Sequence, residues 1–70
     1  MRLLVNGETK ELTAPDGRPA VVRDLLVQCG WGERPCAVEV NRSLVPRASH
    51  GSAELREGDR VEVVTLVGGG

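Results

Sequence analysis

One stretch of this sequence carries helical periodicity, and nearly everything around it is β-prone or turn-rich. In "AVVRDLLVQC", residues 20–29, the apolar side chains Val22, Leu25, Leu26 and Cys29 recur at i, i+3, i+4 and i+7, which gathers them on one face of a helix. Arg23, Asp24 and Gln28 fall on the other side. Pro19 suits a first helical turn, where its missing N–H is not needed, and Gly30 supplies the left-handed residue that commonly ends a helix. The valines lower intrinsic propensity, so burial has to hold this helix together.

The flanking segments read as strands. "RLLV" at 2–5 leads into Asn6-Gly7, a strong hairpin signal because both central residues of a type I′ turn need positive φ. Residues 8–12 then return as a strand with a polar outer face. A turn-rich break, "APDGRP", precedes the helix. After the "WGERP" loop, "CAVEVN" at 36–41 alternates as a strand does. "NRS" turns the chain, "LVP" makes a brief strand, and "RASHGSAEL" is irregular with one short helical turn. "REGD" is a turn. "RVEVVTLV" at 60–67 is the most β-prone run, and its apolar character predicts a central strand covered on at least one face.

A single helix covering one face of a sheet is an α+β layer pair. A hairpin, a helix, further strands and a central last strand make the β-grasp arrangement, with a mixed four- to five-stranded sheet. At 70 residues the chain forms one domain with a thin core, burying about 60% of its unfolded surface. Trp31 is the only aromatic residue, so that core is aliphatic and no base-stacking platform is available. The formal charge of −1 gives no basic stripe for nucleic acid. No run approaches the roughly 20 apolar residues that span a bilayer. Cys29 and Cys36 lack metal-ligand spacing and, with one histidine, fall short of four zinc ligands. They read as reduced thiols of a cytoplasmic protein.

The ending, "TLVGGG", poses the functional question. Gly68, Gly69 and Gly70 contribute no side chain to a core, and ordering them carries a high entropic cost. The expected division is a domain over 1–67 and a flexible tail over 68–70. Extended, that tail reaches about 10 Å, and without Cβ atoms it suits a narrow channel in another protein. Its carboxylate is ionised at neutral pH and is a poor electrophile until activated, most simply as an acyl-adenylate. The chain has no GxxxxGK[ST] loop to hold a nucleotide, so activation falls to a partner. Taken alone, the glycines fit a working tail and an inert end equally.

Across essentially all 70 residues the sequence resembles the ThiS-type sulfur carriers of thiamin biosynthesis, ubiquitin-like β-grasp proteins. The likeness rests on the opening strand with Asn6-Gly7, "VRDLL", "CAVEVNRSLVPR" and "REGDRVEVVTLVGGG". It implies a protein cosubstrate and not an enzyme: a ThiF-like enzyme adenylates the Gly70 carboxylate with ATP, sulfur from a cysteine desulfurase or another sulfur donor replaces AMP, and the resulting thiocarboxylate supplies a ThiG-like thiazole synthase. Gly69 and Gly70 match the family's diglycine, with Gly68 extending it. No cofactor is permanently bound. The chain departs from the family at Arg42, where glycine often follows the asparagine, and at Ser49 and His50, near which an aromatic is common. Sibling carriers for molybdopterin, tRNA thiolation or cysteine synthesis, a ubiquitin-like protein modifier, and a regulatory module with an inert tail remain open alternatives.

The remaining chemically able residues read as structural. Cys29 and Cys36 are expected to pack, and nothing nearby activates either thiol. His50 is expected to be a solvated loop residue, without a partner at a telling spacing. Trp31 is either a lid over the helix end or an exposed anchor for a partner, with packing the favoured reading, and Arg47 and Arg60 read as charged surface open to an acidic partner. The open sheet face leading into the tail, with Val64, Leu66 and Val67, is the expected docking patch.

Overall fold

The computed structural model describes residues 1–32 and 34–66. Strands β1 (Arg2–Val5) and β2 (Glu8–Glu11) form a hairpin, followed by helix α1 (Val22–Gln28), β3 (Cys36–Val40), β4 (Ser43–Val45), a 3₁₀ turn over Arg47–Ser49, and β5 (Arg60–Thr65). The five-stranded sheet has the order β2-β1-β5-β3-β4. β1 and β5 run parallel, and the other neighbours are antiparallel. The last strand therefore sits at the centre, as its apolar run predicts, and the α+β layer pair is the observed fold.

Turn chemistry sets the registers. Asn6 and Gly7 adopt φ of 50° and 82°, the I′ signature that lets Val5 pair with Glu8. Asn41 and Arg42 take the same handedness at the β3–β4 turn, with φ of 50° and 70°. Alternation then sorts the side chains. Leu3 and Val5 of β1, Val38 of β3, and Val61 and Val63 of β5 point into one core with Val22, Leu25 and Leu26 of α1. Leu12, Ala20 and Leu55 close it from the connecting segments. Burying each of these Val and Leu side chains contributes about 1.5–3 kcal/mol. The largest fully buried side chains are all Leu or Val, so the centre of the core is aliphatic.

The helix starts later than its sequence predicts. Pro19 precedes it by three residues, because the chain stays extended through Val21 (φ −125°, ψ 169°). Backbone bonds to the segment before β5 hold it there: Leu55 N–H donates to the Ala20 carbonyl at 2.8 Å, and Val22 N–H to the Ala53 carbonyl at 2.9 Å. Those bonds outweigh one more helical turn. Val21 has no capping side chain, so the cap comes from inside the helix. The Asp24 carboxylate accepts from the Val21 N–H at 2.8 Å and is itself gripped by Arg18 at 2.7 and 2.9 Å. At the other end Gly30 takes φ 85°, as predicted. The hairpin strand is likewise one residue shorter than expected, since Leu12 leaves β2 to enter the core.

His50 overturns its sequence reading. It is 4% exposed, not solvated. Its backbone carbonyl accepts from the Arg23 N–H at 2.8 Å, which draws the residue beneath α1. Its Nε2 lies 3.2 Å from the Val45 carbonyl. A carbonyl only accepts, so Nε2 carries the proton. The chain thereby places a buried, pinned imidazole in the region where the resemblance implies an aromatic.

Candidate functional site

Strand β5 organises the candidate site. Val61 and Val63 turn into the core, which sends Arg60, Glu62 and Val64 to the open face. Register then assembles that face: Leu4 lies beside Arg60, Ala37 beside Val64, Glu39 beside Glu62, and Leu44 beside Glu39. Val64 is 60% exposed, Leu66 55% and Leu44 67%, too open to serve the core. Val64 and Leu66 thus stand where the sequence predicts an open patch. Leu44 stands on the same open face, separated from β5 by Glu39 of β3, and was not foreseen. Its signal was available in the "SLV" strand, where turning Val45 inward forces Leu44 outward.

The patch runs to the root of the chain's last segment. Beyond β5, the Leu66 N–H donates to the Pro35 carbonyl at 2.9 Å, one step past the Cys36–Thr65 pair. The backbone is therefore tied down as far as Leu66. Val67, Gly68, Gly69 and Gly70, the remaining predicted site residues, lie outside the described residues, as does the expected boundary between domain and tail.

The other candidates are dispersed. Cys36 is buried at the start of β3, and Cys29, half-buried, caps α1. Among the described residues no group of three or more His, Cys, Asp or Glu is placed to hold a metal ion, and no helix is long and apolar enough to cross a membrane. Trp31 packs against the core while its N–H donates to the Leu26 carbonyl at 2.8 Å, closing the helix end as a lid does. The resolved charge perturbations are structural. The Arg18 guanidinium, with help from the Val21 N–H, holds the Asp24 carboxyl below its ordinary range against the opposing effect of burial. Arg18 is raised in return by its bond to Asp24.

The exposed pair of Val64 and Leu66 at the root of a glycine-ended segment is the arrangement that the resemblance to sulfur carriers implies. Comparison with known proteins agrees. Residues 3–70 match the ThiS family. The chain belongs to the ThiS family. The crystal structure of the thiamine biosynthesis protein ThiS from Geobacter metallireducens matches with a TM-score of 0.75 at 29% identity, covering all of both chains. A solution structure of a thiamine biosynthesis protein from that organism gives 0.72 at 28% identity, covering all of this chain and 88% of the other. Membership in ThiS, a family of sulfur carriers of thiamin biosynthesis, agrees with the reading of this domain as a carrier and not an enzyme. Segments similar to this chain also occur inside larger proteins. A thiazole synthase of Paramagnetospirillum magneticum is 36% identical over 70 residues, covering all of this chain and 20% of that protein. A thiazole synthase of Magnetococcus marinus is 34% identical over the same span and coverage. The chain thus spans about one fifth of the length of these relatives. The uncharacterized protein ycf40 of Porphyra purpurea is 30% identical over 66 residues, which is 94% of this chain and 87% of that protein.

Proposed function

We propose that this ThiS-family chain carries sulfur as a thiocarboxylate on Gly70 and delivers it for thiazole formation. In the first step the Gly70 carboxylate attacks the α-phosphate of ATP within a ThiF-like enzyme, forming an acyl-adenylate and releasing pyrophosphate. The terminal sulfur of a desulfurase persulfide, drawn from cysteine, then attacks the acyl carbon and expels AMP, and a second thiol cleaves the resulting acyl disulfide, leaving the thiocarboxylate on Gly70 and a disulfide between the two thiols. In the last step a ThiG-like thiazole synthase takes the sulfur, and the carrier regains its carboxylate.

The observation that carries this reading is the Leu66–Pro35 bond. It fixes the backbone just past the end of the central strand, four residues before Gly70, and four extended residues span up to about 14 Å. Val64 and Leu66 beside it give the adenylating enzyme an apolar surface to grip, with Val67 continuing the sequence toward Gly68 and Gly69. Thiazole synthase as recipient is supported by the two thiazole synthases that contain a segment similar to this whole chain.

Discharge of the loaded carrier tests the delivery step. Carrier loaded with isotopically labelled sulfur is incubated with thiazole synthase and its other substrates. Label appearing in the thiazole product, with loss of label from the carrier, is the expected result. Label retained on the carrier, and passed instead to a tRNA or pterin acceptor by the matching enzymes, would reassign the pathway.

A further inference from the structure

A cleft of about 50 Å³ opens between α1 and the 3₁₀ turn, and three arginines line it. Arg23 comes from the helix, Arg34 from the segment entering β3, and Arg47 from the 3₁₀ turn. The buried residues Leu26, Cys36 and His50, with Gly32, complete its wall. Among the described residues no carboxylate lines the cleft and no ion pair involves Arg23, Arg34 or Arg47. On a chain of net charge −1 this is a local concentration of one sign, and like charges crowded around one small volume repel until an anion arrives.

The frame that holds these arginines is rigid. The Arg23 N–H donates to the His50 carbonyl at 2.8 Å, and the His50 N–H to the Arg47 carbonyl at 3.1 Å. The Arg34 N–H donates to the Trp31 carbonyl at 2.8 Å, and Trp31 is tied in turn to Leu26 at 2.8 Å. His50 is fixed again through Nε2 and the Val45 carbonyl. Four of the wall residues are thus bonded into a single backbone framework, which lowers the ordering cost of gathering their charges around a ligand.

We propose that this cleft binds a single phosphate-type oxyanion. Guanidinium forks match phosphate oxygens in geometry and charge, and the three arginines that line the cleft come from three separate elements. A volume of about 50 Å³ admits a few waters or one such group, since each water needs at least about 10–15 Å³. A peptide segment does not fit. The cleft also abuts the root of the glycine segment: Arg34 precedes Pro35, whose carbonyl holds the Leu66 N–H. The anion therefore binds next to the point from which the last residues depart.

The test is titration of the full chain with sodium phosphate, against sodium chloride at matched ionic strength, followed by NMR. Phosphate is expected to give saturable shifts at the Arg23, Arg34 and Arg47 Nε–H groups and at the Cys36 and His50 amides. Arg23→Gln and Arg47→Gln, both at exposed side chains, each weaken binding by about tenfold or more, the effect of losing one charged hydrogen bond. Arg56→Gln, away from the cleft, leaves it unchanged. A parallel titration with AMP separates the sources: tighter binding than inorganic phosphate at the same residues assigns the site to a nucleotide phosphate, and weaker binding to the free ion. Shifts reproduced by chloride, or surviving in the Arg23→Gln/Arg47→Gln double variant, would overturn the proposal. No sulfur transfer is read in this experiment, so its failure leaves the carrier reading standing.

Discussion

The Asn6 side chain takes both backbone groups of Val63: its Nδ2 donates to the Val63 carbonyl at 3.1 Å, and its Oδ1 accepts from the Val63 N–H at 2.8 Å. The parallel pairing of β1 with β5 covers only Leu4–Arg60 and Val5–Val61. Asn6 extends that ladder with a side-chain amide just where β1 turns away. One residue thus serves two purposes, supplying the left-handed turn and anchoring the central strand.

Asn6→Ala removes both bonds and leaves the N–H and carbonyl of a buried residue unpartnered. A loss of about 1–3 kcal/mol is expected, read from urea unfolding. Asn6→Asp keeps the acceptor and loses the donor, so it should fall between the two. Equal stability of wild type and Asn6→Ala would show that water replaces the amide.

At the β3–β4 turn, Arg42 occupies φ 70°, where a side chain costs about 1–2 kcal/mol. Arg42→Gly removes that strain but frees the unfolded chain, an opposing cost of about 0.5–1 kcal/mol. The expected net effect is stabilisation of up to about 1 kcal/mol, seen as a raised Tm. Gly7→Ala, at φ 82° with no atom within 4 Å of the new Cβ, should destabilise through backbone strain alone.

Asp24 links stability to acid. Its carboxyl is held below the ordinary value of 3.8, first by Arg18 and then by the Val21 N–H. A group depressed in the folded state stabilises the fold above its unfolded pKa and loses that contribution as pH falls through the folded value. Urea unfolding from pH 5 downward should therefore show wild type losing stability faster than Asp24→Asn, with the gap between them closing in strong acid. A constant gap would place the effect in packing and not in charge.

Val64→Asp and Leu66→Asp change exposed side chains, so unfolding free energy should move by no more than about 0.5 kcal/mol. Adenylation by the ThiF-like enzyme should slow through a raised KM for the carrier. Unchanged kinetics in both variants would remove this face from the docking surface.

Most of the fold was legible in the sequence because its signals are local. Asn6-Gly7, the Val22–Cys29 stripe, Gly30 and the apolar run at 60–65 each act through neighbours along the chain. The misreadings share one cause, contacts between segments distant in sequence. Pro19 fails to start the helix because 20–22 pair with 53–55. His50 is buried because a carbonyl bond beneath α1 pulls it in, and no spacing along the chain announces that. Of the site, the alternation of β5 announced Val64 and Leu66, whereas Leu44 joins them only through the pairing of β4 with β3. Arg23, Arg34 and Arg47 are separated in sequence and become a cluster only when the 3₁₀ turn folds against the helix.

The central claim is that Gly70 accepts sulfur at its carboxylate. Intact mass spectrometry of the chain after incubation with ATP, a ThiF-like enzyme and a sulfur source measures it directly. The account predicts a gain equal to replacing one oxygen by sulfur, located in the C-terminal peptide, and no gain when Gly70 is deleted or Gly69→Val blocks threading. A full gain in either variant, or a gain located elsewhere in the chain, would contradict it.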